Sequence, residues 1–485
     1  MQSSAFSLRT SSLTTKTISS KMNGITTVIA AISTPPGKGG VAVIRMSGEG
    51  SLDILRRVFV TPKGSFPEKV APRVQIYGYI KDKDETLDDV LVTYFKAPAS
   101  FTGEDVVEIS THGGILVSRA VLGVLLKNGA RAAEAGEFTK RAFLSGKLTL
   151  TEAEAIANLL DAKTRAEMRL CSEPSRKRLS ERIEQIRVGL VGIMSSLYAR
   201  IDYPDEDLGE LSDEDILGML RTAEADIRAL LATYRTGLAV TEGIKCAIVG
   251  KPNVGKSSLF NMLVGEDSAI VTDIAGTTRD VISESVPLGK VLLRLSDTAG
   301  IRSEGDLDAV ERIGIQKSID AIDKCQLIFT LFDISAPLDL LDREIISLTD
   351  KVNVPKIAIL NKADLPHKID TEELSAHYDA IIPISAGSPD PSELSALTDT
   401  VESLFIDGEL SIGEDAVISS ERQRAVLEAT LDSVVVAREA LESGIMQDAV
   451  SSDVERAIGA LSELDGRAVG EQVVADIFSR FCVGK

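Results

Sequence analysis

The sequence predicts a multidomain fold of α/β and α type, in which a helical domain is interrupted by an inserted α/β domain with a mostly parallel sheet. Residues 24–146 read as a separate N-terminal α/β domain. Amphipathic helical patterns occupy residues 147–239 and return over 409–485, while apolar strands alternate with helices over 240–408. Because the termini of a domain often lie close together, an insertion explains this order.

Composition limits the classes of protein that remain. A length of 485 residues predicts two to four domains, and a hydrophobic content of 44% is enough to build their cores. The net charge of −20 argues against general coating of a nucleic acid, so RNA contacts would be local or shared with a partner. We expect no membrane span, because no apolar run reaches about 18 residues. The cysteines are widely spaced and indicate a reducing compartment: Cys171, Cys246, Cys325 and Cys482.

The first 22 residues resemble an organelle transit peptide. They are rich in Ser and Thr, carry Arg9, Lys16 and Lys21, and contain no acidic residue. The first acidic residue of the chain is Glu49. This favours a mitochondrial location. A plastid location remains open, as does a bacterial cytoplasmic protein that has a disordered tail or starts at Met22.

The N-terminal domain is predicted to open with two strands, Thr26–Ile32 and Val41–Met46, joined by the Gly-rich segment Ser33–Gly40. Lys38 there suggests a phosphate loop, but a hairpin-like turn is favoured because no helix follows directly. Further elements are predicted at Val74–Ile80, Asp89–Phe95, Asp105–Ser110 and, as a helix, Ile115–Asn128.

Two features stand out in the helical region. Thr151 and Glu154 are spaced as a capping box, which predicts a helix start. The densest basic cluster is Arg176–Arg178 with Arg182. It is interpreted as a solvated helix face, with an RNA contact as the alternative.

The segment Gly250–Ser257 fits the phosphate-loop pattern G-x-x-x-x-G-K-[ST]. It follows the apolar run Ile244–Val249 and precedes a helix predicted from Ser257 to Val264. Its glycines let backbone N–H groups converge on phosphate, Lys256 supplies a positive charge, and Ser257 offers an oxygen to Mg²⁺. The alternative is an ordinary Gly-rich turn between strand and helix.

Three further motifs follow apolar runs in the order that a GTP site requires. Asp297–Gly300 can hold the Mg²⁺ shell and sense a γ-phosphate. The carboxylate of Asp364, in Asn361–Asp364, offers two acceptors to the N–H groups of guanine, which adenine does not match. Ser385–Gly387 would support the base. The predicted GTP-binding residues are Asn253, Val254, Gly255, Lys256, Ser257, Ser258, Thr272, Thr277, Thr278, Asp297, Thr298, Ala299, Gly300, Asn361, Lys362, Asp364, Ser385 and Ala386.

The means of activating water differs from that of Ras. The position after Gly300 holds Ile301, which cannot orient water as the Ras glutamine does. Glu311 is the nearest suitable carboxylate, although an ordinary surface glutamate is the alternative. Thr278 lies in the predicted switch segment and is the second candidate Mg²⁺ ligand, beside Ser257.

Several segments outside these motifs resemble the MnmE (TrmE) family of tRNA-modifying GTPases, from about Gly24 to Lys485. They include the F-C-x-G-K ending, and generic GTPases have no reason to share them. The segments are Pro35–Arg45, Phe101–Asp105, Gly136–Leu144, Lys147–Ile156 and Phe481–Lys485.

The resemblance implies an N-terminal domain that dimerises and binds 5-formyltetrahydrofolate or a related one-carbon folate. It implies a flavoprotein partner of the MnmG type and an aminomethyl-type group added to the wobble uridine of tRNA. The matching folate positions are Arg45, Glu108, Lys147 and Lys485.

The resemblance also implies hydrolysis activated by K⁺. Asn253 would bind the ion together with the backbone carbonyls of Thr272, Ile274 and Thr277, and Glu311 would position water. Two extra residues between Arg302 and Glu311 depart from the family pattern.

Cys482 is predicted to act in the modification chemistry, with a buried structural thiol as the alternative. Prenylation is not expected, because Gly484 and Lys485 do not fit the required box. The competing functions are an Era-like ribosome-assembly GTPase and a scaffold with vestigial GTP binding. Nothing after Ser411 resembles the KH domain that an Era-like protein would carry.

Overall fold

The computed structural model describes residues 27–202, 211–265, 284–295, 322, 324–387, 390–445 and 447–484. The chain forms two compact units. The first contains residues up to 157 together with 464–485, and the second contains 158–463. Among the described residues, no helix is both long and apolar enough to cross a membrane.

The helices of the described residues are numbered in chain order. They are α1 (Ser51–Val58), α2 (Ile115–Lys127), α3 (Glu137–Leu144), α4 (Leu150–Asp161), α5 (Arg165–Leu170), α6 (Glu173–Asp202), α7 (Asp213–Ala232), α8 (Tyr234–Thr241), α9 (Lys256–Val264), α10 (Leu340–Thr349), α11 (Thr371–Ser375), α12 (Pro391–Phe405), α13 (Glu421–Glu442), α14 (Gln447–Asp465) and α15 (Glu471–Ser479).

The strands are numbered in the same way. They are β1 (Ile29–Ile32), β2 (Val41–Ser47), β3 (Phe59–Val60), β4 (Gln75–Asp82), β5 (Glu85–Phe95), β6 (Val106–His112), β7 (Arg131–Ala132), β8 (Ile244–Val249), β9 (Glu284–Leu288), β10 (Val291–Leu295), β11 (Leu327–Asp333), β12 (Lys356–Asn361) and β13 (Ala380–Ile384).

The first unit is built on a seven-stranded sheet in the order β3-β4-β5-β6-β2-β1-β7. Strands β1 and β2 pair antiparallel, with Ile29 opposite Ser47, so the hairpin prediction for the segment between them is confirmed. Buried Val121 and Leu125 of α2 belong to the same apolar core as Ile44 of β2 and Ile109 of β6. Because side chains alternate along a strand, the sequence neighbours of Ile44 and Ile109 project from the other face of the sheet.

Helix α4 begins two residues earlier than its sequence pattern predicts. Thr149, and not Thr151, caps the helix. Its hydroxyl accepts from the backbone N–H of Glu152 at 3.2 Å, and Glu152 accepts from the N–H of Thr149 at 2.8 Å. Thr151 is buried, and its hydroxyl donates to the carbonyl of Leu464 at 2.8 Å. The predicted capping box of Thr151 and Glu154 is therefore wrong. Thr149 and Glu152 have the same spacing in the sequence, and they form the box instead.

The C-terminal segment returns to the N-terminal domain. Phe478 of α15 and Phe481 share an apolar cluster with Leu150 and Ala153 of α4. Beyond α15, Val483 forms an antiparallel bridge with Ala135. Residues 464–484 therefore complete the core of the first unit.

The second unit contains a six-stranded sheet in the order β13-β12-β11-β8-β10-β9. Its strands are parallel except β9, which is antiparallel to β10. Strand β8 is almost wholly buried, as expected for a parallel sheet with helices on both faces. The carboxyl ends of β8, β11 and β12 therefore meet at one edge.

A helix that precedes this sheet in the sequence packs against a helix that follows it. Arg438 of α13 pairs with Glu224 of α7 at 2.9 Å, and Arg221 of α7 pairs with Glu442 of α13 at 2.8 Å. The helical segments before and after the nucleotide domain thus form one body, which is the arrangement expected of an inserted domain. The domain limits drawn from the sequence stay predictions.

The basic cluster on α6 makes contacts within its own unit. Lys177 pairs with Glu173 at 2.6 Å and Arg182 with Asp226 at 2.6 Å, while Arg178 donates to the carbonyl of Gly413 at 2.7 Å. These contacts agree with a solvated helix face, the interpretation that the sequence favours.

Candidate guanine-nucleotide site

The phosphate loop connects β8 to α9, as its sequence pattern predicts. Gly250 and Gly255 adopt φ values of +154° and +99°, and Asn253 adopts +61°. A side chain at position 255 would place its Cβ 2.0 Å from Nδ2 of Asn361, so only glycine fits there. The loop curves because its glycines take backbone conformations that other residues avoid.

Lys256 points its ammonium into this curve. Its Nζ donates to the carbonyls of Gly250 at 2.9 Å and Lys251 at 2.8 Å. Burial lowers the pKa of Lys256. A phosphate group would restore the favourable electrostatics that burial removes, so the loop suits an anion. Ser257, beside it in the first turn of α9, is exposed and offers the oxygen that Mg²⁺ prefers.

Asn361 joins the phosphate loop to the base-selecting segments. Its Nδ2 donates to the carbonyl of Val254 at 2.6 Å, and its Oδ1 accepts from the N–H of Ala386 at 3.0 Å. The residue is buried at the end of β12. Three motifs that are far apart in sequence are therefore held together by one side chain.

The remaining base-selecting residues lie at the same edge. Asp364 is exposed, so its carboxylate is free of protein cover. The N–H of Ser385 donates to Oε2 of Glu393 at 2.8 Å, which fixes the backbone after β13. Sequence reasoning missed Glu393, although its spacing from Asp390 is that of a capping box, which α12 does form.

Lys362 adopts a left-handed backbone conformation with φ of +65°, and its Nζ lies 2.5 Å from Oδ2 of Asp333. Sequence reasoning missed Asp333 as well. Its signal was an acidic residue ending the apolar strand β11, at the edge where ligands bind in parallel sheets.

Part of the predicted site lies outside the described residues. This holds for the switch segment, the D-x-x-G motif, the water-positioning candidate and the last folate candidate. These residues are Thr272, Ile274, Thr277, Thr278, Asp297, Thr298, Ala299, Gly300, Ile301, Glu311 and Lys485.

In the first unit, the structure brings two predicted folate residues together. Nε and Nη2 of Arg45 donate to Oε1 of Glu108 at 2.9 and 2.8 Å, because the two residues face each other across β2 and β6. The guanidinium also lies over the rings of Phe101 and Phe138, at 5.3 and 5.7 Å from their centroids. Lys147, the third predicted folate residue, has a different partner: its Nζ donates to the carbonyl of Pro98 at 3.0 Å.

Cys482 differs from the other three cysteines. It is exposed, whereas Cys171, Cys246 and Cys325 are buried. Burial raises the pKa of Cys171 to about 12 and that of Cys246 well above its usual range, so these thiols stay protonated. The alternative interpretation of Cys482 as a buried thiol is wrong, because its side chain is exposed, although Phe481 and Gly484 on either side of it are buried.

A phosphate loop at the end of β8 and a guanine-selecting motif at the end of β12 define a P-loop GTPase. Two family models match the chain. The MnmE helical domain matches residues 150–482, and the GTP-binding protein TrmE N-terminus matches residues 28–147.

Curated relatives agree with these family matches. The chain is 39% identical over 459 residues to the tRNA modification GTPase MnmE of Thermoanaerobacter pseudethanolicus, covering 94% of this chain and 99% of that one. It is 40% identical over 458 residues to the MnmE of Lactococcus lactis subsp. cremoris strain MG1363, covering 94% and 98%. The chain therefore belongs to the MnmE family of tRNA modification GTPases.

Two solved structures resemble part of the chain. A variant of Era from Aquifex aeolicus bound to GDP·AlF₄⁻ is 26% identical, covers 41% of this chain and 66% of its own, and has a TM-score of 0.27. Apo SelB from Methanococcus maripaludis is 21% identical, covers 35% of each chain, and has a TM-score of 0.24.

Proposed function

We propose that this GTPase works with a flavoprotein of the MnmG type to install an aminomethyl-type group on the wobble uridine of tRNAs. The group would be carboxymethylaminomethyl or taurinomethyl. The observation that carries the proposal is the return of residues 482–484 to the unit that contains Arg45 and Glu108. An exposed thiol and a charged pair suited to a one-carbon donor thus belong to one unit, and the GTP site belongs to the other.

The charged pair in the first unit fits a folate. The guanidinium of Arg45 suits a carboxylate and its aromatic neighbours suit a flat ring, while Glu108 can accept from the N–H groups of a pterin. Lys147 and Lys485 are the further candidate contacts. The expected ligand is 5-formyltetrahydrofolate or a related one-carbon folate, which would supply the carbon atom.

The nucleotide site fits two cations. Ser257 and Thr278 are the proposed Mg²⁺ ligands, and Asn253 with the carbonyls of Thr272, Ile274 and Thr277 is proposed to bind K⁺. Asn253 is exposed on the loop, so its amide oxygen is accessible to an ion. A cation there would neutralise charge that develops between the phosphates, which suits a chain that lacks the Ras glutamine. Glu311 is the proposed water-positioning residue.

The proposal includes a homodimer formed through the N-terminal domain and a mitochondrial location. The family match begins at residue 28, after the Ser- and Thr-rich segment of residues 1–22 that would direct import. A plastid or, for a bacterial protein, the cytoplasm are the other locations. A fluorescent fusion of residues 1–30 distinguishes them, since import requires the segment to redirect the reporter.

The test is mass spectrometry of tRNA from a strain that lacks its own MnmE and expresses this chain. Restoration of the aminomethyl-type group at the wobble uridine supports the proposal. Normal expression and GTP hydrolysis without restoration would refute it. A ribosome-assembly defect that this chain repairs, with tRNA unchanged, would favour the Era-like alternative. The described residues after Ser411 form the helices α13, α14 and α15 and contain no strand longer than a single bridge.

A further inference from the structure

Asp333 ends β11 directly beside the end of β12, where it faces Asn361 across the two parallel strands. Its Oδ2 lies 2.5 Å from Nζ of Lys362, the residue that separates Asn361 from the base-selecting end of the motif. The Asp333 side chain is 16% exposed and that of Lys362 is 37% exposed. The ion pair therefore lies at the border between protein and solvent, at the edge where the guanine is expected.

One oxygen of the Asp333 carboxylate is held in place by Ser335. Its Oδ1 accepts from both the backbone N–H of Ser335 at 2.9 Å and the hydroxyl of Ser335 at 2.6 Å. Because one oxygen is fixed by these two donors, the other oxygen is directed at Lys362. The side chain has one orientation, which suits a group whose task is to place another.

The carboxylate of Asp333 stays charged at any physiological pH. Burial raises the pKa of Asp333, but hydrogen bonds from Lys362 and Ser335 outweigh it and lower the pKa to about 2. The contact is thus a permanent support and not a proton switch.

Lys362 needs such a support because of its backbone. Its φ of +65° lies in the left-handed region. This conformation is unfavourable for any residue that has a side chain, unless the surrounding structure stabilises it. The carbonyl of Lys362 then accepts from the N–H of Leu365 at 2.9 Å, so the turn that carries Asp364 starts from this strained residue.

We propose that Asp333 is a positioning residue for guanine-nucleotide binding, acting through Lys362. By holding the ammonium, it fixes the methylene chain of Lys362 and the turn that presents Asp364 to the base. Asp333 itself contacts no nucleotide in this scheme. Its removal would weaken the ground-state binding of GTP and GDP to the same extent and leave the chemical step alone.

The experiment compares Asp333→Asn with the unaltered full-length protein by titration of fluorescent GTP and GDP and by steady-state hydrolysis. We expect affinity for both nucleotides to fall about 10–150-fold, as for one lost hydrogen bond to a charged group, with kcat at saturating GTP within about 2-fold of the original. Unchanged affinity would overturn the proposal, and so would a fall in kcat without a fall in affinity.

The chain offers a matched control at the other end of β12. Asp350 pairs with Lys356 there at 2.7 Å, an ion pair of the same kind outside the nucleotide site. Asp350→Asn should lose stability comparable to Asp333→Asn while keeping nucleotide affinity. An equal fall of affinity in the two variants would show that both act through general stability, and the positioning role would be rejected.

A double-mutant cycle tests whether Asp333 acts through the lysine. Lys362→Met keeps the methylene chain without the charge. In that background Asp333→Asn should have no further effect on affinity, because the contact it removes is already gone. If the two substitutions instead weaken binding additively, Asp333 acts by another route and the proposal fails.

Discussion

The hydroxyl of Ser33 donates a hydrogen bond of 2.9 Å to the carbonyl oxygen of Gly484, although 451 residues separate them in the chain. Ser33 follows β1, and Gly484 follows the bridge between Val483 and Ala135. The N–H of Gly136 also lies 3.5 Å from the carbonyl of Cys482. The C-terminal segment is therefore an integral part of the first unit.

The first prediction concerns Gly136, which has φ of +66°. In Gly136→Ala the new Cβ would lie 2.4 Å from the carbonyl oxygen of Phe478, so the C-terminal segment must shift. We expect a stability loss of at least about 2 kcal/mol, from backbone strain together with the clash. Hydrogen exchange should show faster exchange in residues 471–484, while GTP affinity is unchanged.

Gly146 provides the control, because it has φ of +74° in the same unit but nothing within 4 Å of its Cβ position. Gly146→Ala should carry only the strain and leave exchange in 471–484 slow. Equal exchange in the two variants would contradict the role assigned to the contact with Phe478.

The second prediction separates modification from hydrolysis. Cys482→Ser should leave K⁺-stimulated GTP hydrolysis nearly intact and abolish wobble-uridine modification, because the exposed thiol lies in the first unit and the phosphate loop in the second. Both activities should be measured on one preparation. Full modification by the variant would disprove a chemical role for the thiol, and loss of both activities would point to a role in folding or dimerisation.

The third prediction concerns the cation. Hydrolysis should be about 10-fold or more faster in KCl than in NaCl at equal ionic strength, since a bound cation can stabilise developing charge. Asn253→Ala should remove the difference. Asn253→Gly is the better variant for this test, because Asn253 has φ of +61° and glycine loses the amide without adding strain. Equal turnover of the original protein in both salts would refute the role of K⁺.

The fourth prediction concerns base selection. Asp364→Asn replaces one acceptor by a donor facing the exocyclic amine of guanine, so GTP affinity should fall at least about 10²-fold. Xanthosine triphosphate, which presents an oxygen in place of that amine, should bind the variant better than GTP does. A titration in which the variant binds GTP as tightly as the original would refute the assignment of Asp364.

Local pattern was enough to predict the phosphate loop, the strand before it and the hairpin between β1 and β2. It failed where several residues satisfy one rule, as with Thr149 and Thr151, because packing of Thr151 against Leu464 decides which threonine caps the helix. Asp333 and Glu393 could not be assigned, since their contacts depend on which strands become neighbours. The return of the C-terminal segment is implied only by the family resemblance, which assigns Lys485 to the same folate site as Arg45 of the N-terminal domain.

That return has a consequence for synthesis on the ribosome. The sheet of the first unit is translated before the second unit, but Val483, which pairs with Ala135, emerges after the whole second unit. A nascent chain thus carries an incomplete first unit, with Leu150 and Ala153 lacking Phe478 and Phe481, throughout translation of about 300 residues. At the rates typical of translation this interval lasts tens of seconds. During that time the apolar surface that contains Leu150 and Ala153 is not covered by Phe478 and Phe481. We expect chaperones to bind the growing chain at this surface.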